Sequence, residues 1–284
     1  MAVWLITGAS TGFGHELAKI VLERGDIAVA TARRPEVLSS LAAKYPQAAD
    51  RLLTLKLDVT EEQDIVDAFA AAKAKFGRVD VVANNAGFLT MGELESVPAA
   101  DGRAIFETNF WGATRVSREA VRFFREDNPA GAGGRLLQFS SILGFQGWPG
   151  VAYYAATKFA LEGLSETLAS ELDPAWNIKV TIVEPGPFAT NVNKGDSQWA
   201  PTHPAYDRPE LPAAVFKKDL AQLIPPGDAR KGMEAVYKLA SLEQPPLRFP
   251  LGKEAVAAAR AKMSAFLADV DKYESWSEGL ERDA

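Results

Sequence analysis

Ala2-Val3-Trp4-Leu5-Ile6-Thr7-Gly8-Ala9-Ser10-Thr11-Gly12-Phe13-Gly14 is the stretch that decides the fold. Ala2 to Thr7 reads as a short buried strand, because the apolar run is continuous and too short for a helix. A glycine-rich turn follows, then an amphipathic segment that runs to about Gly25. A bound phosphate needs backbone N–H groups close by and a positive field. A helix N-terminus supplies both where no Cβ blocks the approach. Glycines at 8, 12 and 14 remove that obstruction and permit positive φ. Such a turn can also join a strand to a helix with no ligand. The strand before it and the helix after it are the context in which the phosphate reading holds.

Outward from this loop the rhythm repeats. Ile27–Thr31, Arg51–Leu57 and Val79–Ala83 are further strand-like apolar runs, separated by helical segments through Leu38 and Leu41 and over Ile65–Phe76. A helix is predicted over Arg103–Phe124, a strand over Arg135–Ser140 and a long helix over Tyr153–Leu172. Strands follow at Ile178–Val183 and Leu247–Phe249. Alternating β and α segments make a parallel sheet with helices on both faces. With no internal repeat and no shift to linker composition, one α/β domain is expected.

Asn191–Pro212 breaks the rhythm. It is rich in Pro, Asn and Asp, with Trp199, His203 and Tyr206 interspersed. A long segment without regular pattern, placed after a strand end, reads as a substrate lid. Phe145, Trp148 and Phe188, which follow the ends of the fifth and sixth strands, predict an apolar pocket together with Trp199 and Tyr206; ordinary core or subunit contacts are the competing account. The final helix, Lys253–Tyr273, carries Val256, Met263, Phe266, Leu267 and Val270 and reads as core packing or a subunit contact.

Composition narrows the chemistry. The chain has 284 residues, a net charge of −6 and a hydrophobic fraction of 47%, as in a globular protein with a sizeable core. The acidity argues against a nucleic-acid footprint. With no cysteine, disulfides and thiolate catalysis are excluded. His15 and His203 have no ligand-like spacing, so no metal is expected. No signal peptide and no bilayer-spanning run is visible, so a cytoplasmic setting without a membrane partner is expected.

Tyr154 and Lys158 stand four apart on the predicted helix and share a face. Of the six tyrosines, this one alone has a lysine four positions on. Reducing a carbonyl leaves an alkoxide that needs a proton, and the reverse reaction needs a base. A phenol serves both if its pKa falls from about 10 towards neutrality, a shift costing about 4 kcal/mol. A cation at about 5 Å and an effective dielectric of 20 supplies roughly 3 kcal/mol.

The spacing T-G-x-x-x-G-x-G at Thr7–Gly14, Asn84-Asn85-Ala86-Gly87, Ser140-Ser141, Tyr154-x-x-x-Lys158 and Pro185-Gly186 run in one order over about two thirds of the chain. Together they resemble the short-chain dehydrogenase/reductase family. The resemblance implies a single doubly wound Rossmann-type domain with a seven-stranded parallel sheet. It implies a nicotinamide-dependent oxidoreductase that interconverts a ketone or aldehyde and an alcohol, acting as a homodimer or homotetramer on a small molecule. It assigns Tyr154 as acid/base, Lys158 as its partner and a ribose contact, Ser141 as the substrate-orienting donor, and Asn109 as a holder of the lysine through water. It places the cofactor on Gly8, Ser10, Gly12, Phe13, Gly14, Asn85, Ala86, Gly87, Pro185, Gly186, Phe188 and Thr190. Asp58, followed by Val59, matches an adenine contact, with a helix N-cap as the rival reading. Asn85 is equally well explained as a structural turn.

Cofactor choice is read where the second strand ends, at Ala30-Thr31-Ala32-Arg33-Arg34-Pro35. NAD sites carry an acid there and NADP sites a base. Arg33 and then Arg34 therefore point to NADP, with NAD the weaker alternative; paired surface arginines that are merely solvated are the competing account. A dinucleotide-sensing regulator on the same fold is the rival function, and it would be free to lose Tyr154 or Lys158. Epimerisation or dehydration on this fold is a third possibility, usually with a different glycine spacing.

Overall fold

A computed structural model describes residues 1–190 and 199–282. The strands are β1 (Val3–Ile6), β2 (Ile27–Ala32), β3 (Leu52–Lys56), β4 (Val81–Asn84), β5 (Gly134–Phe139), β6 (Ile178–Pro185) and β7 (Arg248–Leu251). They form one seven-stranded parallel sheet in the order β3-β2-β1-β4-β5-β6-β7. Order reverses between β1 and β4, so a crevice opens there at the C-terminal ends of the strands. The doubly wound sheet read from the sequence is the sheet observed.

Helices α1 (Gly12–Glu23), α2 (Ser39–Lys44), α3 (Glu62–Phe76), α4 (Ala99–Phe106), α5 (Ala113–Glu126) and α6 (Ala152–Glu171) follow the predicted alternation. Three more are α7 (Pro212–Gln222), α8 (Ala229–Ala240) and α9 (Lys253–Tyr273). Every residue of β1 is buried, which is why it reads as an unbroken apolar run rather than an alternating one. Leu5, Leu136, Val82 and Phe69 fill one layer beside the sheet, and Ile6, Leu17, Ile20 and Val236 fill the other. Each such side chain contributes about 1.5–3 kcal/mol of burial.

Two expectations need correcting. The helix expected over 103–124 is not one regular element: α4 and α5 are joined through a π-helical turn, Glu107–Gly112. Within its described part the segment before α7 stays largely irregular, as its composition implies. Trp199 bridges to Met91, Pro204–Tyr206 forms a 3₁₀ turn, and Pro212 opens α7. Residues 191–198 of the expected lid lie outside the described residues. Finally, α9 does not pack in the core. Ala255 is its one buried residue, and from Ala261 onward every described position is exposed.

Candidate functional site

The glycine loop forms one wall of the crevice. At Gly8 the backbone sits at φ +68°, and an added Cβ would lie 3.0 Å from Ala86 Cα. Gly12 also has positive φ; its side-chain position looks towards Thr190, no closer than 3.6 Å. Gly14 has another role. A Cβ there would lie 2.5 Å from the Gly8 carbonyl oxygen, so its absence lets α1 close on the loop. Gly14 itself does not line the crevice; it stands behind Gly8.

The Asn84–Gly87 segment holds this loop from the next strand. Asn85 Nδ2 donates to the carbonyls of Thr7 at 2.9 Å and Gly8 at 3.2 Å. Thr7 Oγ1 accepts from the backbone N–H groups of Asn85 and Ala86 at 2.9 and 3.0 Å. Asn84 reaches the other way, to the Ala113 carbonyl and Gln138 Oε1, both at 2.8 Å. The two asparagines thus lock β4 to the loop and to β5. The Asn85 side chain has a structural task even though the residue also lines the crevice.

The second wall carries the acid/base candidates. Ser140 and Ser141 leave the end of β5 in opposite directions. Ser140 Oγ donates to the buried Glu162 Oε1 at 2.7 Å. Ser141 Oγ accepts from Leu143 N–H at 3.1 Å and hydrogen-bonds Tyr154. Tyr154 and Lys158 come from consecutive turns of α6. Lys158 Nζ donates to the Phe139 carbonyl at 2.7 Å and lies 5.6 Å from the Tyr154 ring centroid.

Burial governs both groups. It pushes the Tyr154 phenol up to about 12, the Ser141 hydrogen bond pulling the other way. It pulls Lys158 down to about 8, countered by the Glu162 carboxylate. A phenol lowered by its lysine was expected; in the protein alone desolvation wins. By the pH at which such a phenol ionises, Lys158 has already lost its charge. Near neutrality the site therefore holds a protonated phenol beside an ammonium, the state of a proton donor.

Asn109 sits inside the π-helical turn and is 1% exposed. Its Oδ1 accepts from Phe88 N–H at 3.0 Å and its Nδ2 donates to the Phe88 carbonyl at 2.9 Å and Thr157 Oγ1 at 3.3 Å. The turn turns this amide onto the strand-end loop beside Gly87. It stands behind the crevice wall.

The crevice encloses about 680 Å³. Its walls hold Gly8, Ser10, Gly12 and Phe13 from the first loop and Arg33 and Arg34 after β2. Asp58 and Val59 line it after β3, and Asn85, Ala86 and Gly87 after β4. Ser141, Tyr154 and Lys158 come next, with Pro185, Gly186, Phe188 and Thr190 beyond β6. Asp58 is not a helix N-cap: it accepts from Thr60, and Glu61 precedes α3. Arg33 and Arg34 are both exposed. The N-terminus of α1 has no side-chain cap and no acid in its first turn, which suits an anion. An open glycine loop, a free helix start and two arginines at the far end fit an elongated dinucleotide phosphate.

Towards the other end the lining turns apolar: Leu89, Ile142, Leu143, Trp148, Val151, then Phe216 and Leu220 from α7 and Leu223 just after it. The α7 residues were missed in the sequence, although Pro212 at a helix start and the spacing Ala213, Phe216, Leu220 were there to be read. Trp199 packs on Phe216 behind this wall, with Phe145 in the same cluster. Tyr206 is turned away, its hydroxyl donating to Glu95 at 2.6 Å, which removes it from the pocket. His15 meets the Ala9 carbonyl and His203 caps its own 3₁₀ turn. Among the described residues no group of acidic and histidine side chains is arranged for a metal, and no helix is long and apolar enough to cross a membrane.

Comparison with known proteins agrees with this architecture. The family model described as short chain dehydrogenase matches residues 2–201. An uncharacterized oxidoreductase of Schizosaccharomyces pombe is 40% identical over 258 residues, covering 90% of this chain and 84% of the relative. A short-chain dehydrogenase from Streptomyces avermitilis superposes with a TM-score of 0.87 at 38% identity, over 99% of this chain and 98% of the other. One from Burkholderia cenocepacia, solved in complex with NADP, gives a TM-score of 0.72 at 25% identity, over 95% and 96% of the two chains. By family model, sequence and fold, the chain belongs to the short chain dehydrogenase family of oxidoreductases.

Proposed function

We propose that this enzyme reduces an uncharged, apolar ketone or aldehyde to its alcohol with NADPH. The observation that carries the reading is the meeting of Ser141, Tyr154 and Lys158 on one wall of the crevice at the sheet's switch point. A bound nicotinamide dinucleotide supplies the hydride that reaches the carbonyl carbon. As negative charge grows on the carbonyl oxygen, Tyr154 gives it the phenolic proton. Ser141 donates to the same oxygen, its own oxygen held by Leu143 N–H. The Lys158 ammonium offsets the charge left on the phenol. The Phe139 carbonyl holds that ammonium in place. Asn109 fixes the Phe88 backbone, and with it the loop opposite.

Arg33 and Arg34 support NADP over NAD, since each can make a charge-assisted bond to a 2′-phosphate and no carboxylate stands at that strand end. The NADP held by the Burkholderia cenocepacia relative agrees with this. The Trp148–Phe216 face supports an apolar substrate: the rings meet edge-on at 5.7 Å and offer no charge to a ligand. The test is a panel of aldehydes, ketones and secondary alcohols followed by reduced-nicotinamide absorbance, with NADPH and NADH in turn. Turnover of apolar carbonyls with NADPH, abolished in Tyr154→Phe while NADPH binding persists, is the expected result. More than a few per cent turnover in Tyr154→Phe would mean that another group supplies the proton.

A further inference from the structure

We propose that two copies of this chain pair through α9, lying antiparallel as a two-helix coiled coil. Among the described residues the helix packs at its base, where Ala255 is buried and contacts run to β7 and the Ile142–Gly144 turn. Beyond Ala261 it is exposed on all sides. At 1.5 Å per residue that free part is about 18 Å long. A solvated helix has no reason to carry large apolar side chains on one stripe. This one presents Met263, Phe266, Leu267, Val270 and Tyr273 at 43–60% exposure.

The spacing of that stripe identifies what covers it. Val256, Ala259, Met263, Phe266, Val270 and Tyr273 recur at intervals of three, four, three, four and three. This is the heptad seam of a helix that packs against another helix. Laid antiparallel, the seam is self-complementary. Met263 meets the partner's Phe266, Ala259 meets the partner's Val270, and Val256 meets the partner's Tyr273, each layer occurring twice by symmetry.

Charge chooses the direction. In this antiparallel register Lys262 flanks the partner's Asp269, and Lys253 flanks the partner's Glu274. In the parallel arrangement Asp269 would flank the partner's Glu274, two carboxylates together. Flanking charges of this kind set orientation in coiled coils. A lipid surface fits the helix less well. Between Lys253 and Glu274 four cations stand against four carboxylates, whereas helices that lie on membranes carry a basic polar face.

The test uses the full chain, whose lack of native cysteine makes any introduced thiol unique. Lys262→Cys and Asp269→Cys chains are co-expressed and treated with a short bis-maleimide. The expected result is a cross-linked dimer from the mixture and none from either variant alone. Adding Phe266→Glu to both should remove the product, with the thermal melt unchanged because Phe266 is exposed. Light scattering of the unmodified chain should give at least a dimer. The proposal is overturned if the mixed pair does not cross-link, if either variant cross-links alone, or if Phe266→Glu leaves the product intact. It is also overturned if the chain is monomeric in solution and floats with phosphatidylcholine vesicles through Phe266.

Discussion

Replacing Lys158 by Met removes the ammonium while keeping most of the side chain's bulk. The nitrogen lies 5.6 Å from the centre of the Tyr154 ring, over which a phenolate charge would spread. At an effective dielectric of 20 that separation corresponds to about 3 kcal/mol, or about a hundredfold in rate. Reductive kcat at saturating cofactor and substrate should therefore fall about a hundredfold in Lys158→Met. The wild type should suffer the same loss on titration. Burial has pulled Lys158 down to about 8, so the cation is present below that pH and lost above it. About half of the charge remains at pH 8 and about a tenth at pH 9. Tyr154, pushed up to about 12, stays protonated across this window. The pH profile of kcat/KM, which reports the free enzyme, should thus bend down near 8 in the wild type and be flat in the variant. A Lys158→Met enzyme that keeps a third of its kcat, or a wild-type profile flat to pH 10, would refute the reasoning.

Arg33→Ala should cut the preference for NADPH over NADH about ten- to a hundredfold in kcat/KM, the loss of one charge-assisted bond; equal use of NADH by the wild type would sink the NADP assignment, and an unchanged ratio would move the role to Arg34. Glu184 is lifted from 4.5 to about 7 by burial and then by Glu162. The folded state holds its proton where the unfolded state has released it, so stability falls as pH rises from 4.5 to 7, by about 3 kcal/mol. Glu184→Gln should lack that slope and be the more stable protein above pH 7 in urea unfolding; equal destabilisation at pH 5 and pH 8 would contradict this. Trp148→Ala should raise KM at least tenfold for a bulky apolar ketone, through the loss of about 1.5–3 kcal/mol of contact. It should spare a two-carbon aldehyde, and equal effects on both substrates would count against the apolar wall.

What could be read from the sequence was whatever rests on local spacing. The β1 loop and α1 are legible because a buried parallel strand is a plain apolar run and the glycines are unmistakable. Tyr154 and Lys158 are legible because helical geometry alone brings residues four apart together. Asn109 was placed on a regular helix, since nothing in residue propensity marks a π-helical turn; the hydrogen bonds to Phe88 explain it only once β4 and its loop are in position. The apolar wall from α7 was missed because the irregular reading ended at Pro212 and no element was assigned beyond it, although Phe216 and Leu220 keep helical spacing. Helix α8 was passed over as well, with Asp228 as its cap and Met233 and Val236 on its buried face. The exposure of α9 was out of reach, because an apolar stripe does not say whether its own chain covers it.

Arg248, on the last strand of the sheet, ends beside three carboxylates. It bonds Glu162, meets Glu184 at 2.9 Å and Glu166 at 2.7 Å. Glu162 and Glu184 are 3% and 2% exposed, and Glu162 lies one turn beyond Lys158 on α6. During synthesis both carboxylates leave the ribosome long before their shared cation does. Until residue 248 arrives, α6 and β6 bring Glu162 and Glu184 together without the guanidinium that bonds both of them. The wall that carries Tyr154 thus reaches its final packing only once β7 has been made, so a product terminated before residue 248 would hold every acid/base residue and still lack a formed site. Such fragments should be open to proteolysis, and a nascent enzyme should gain no activity until its seventh strand is in place.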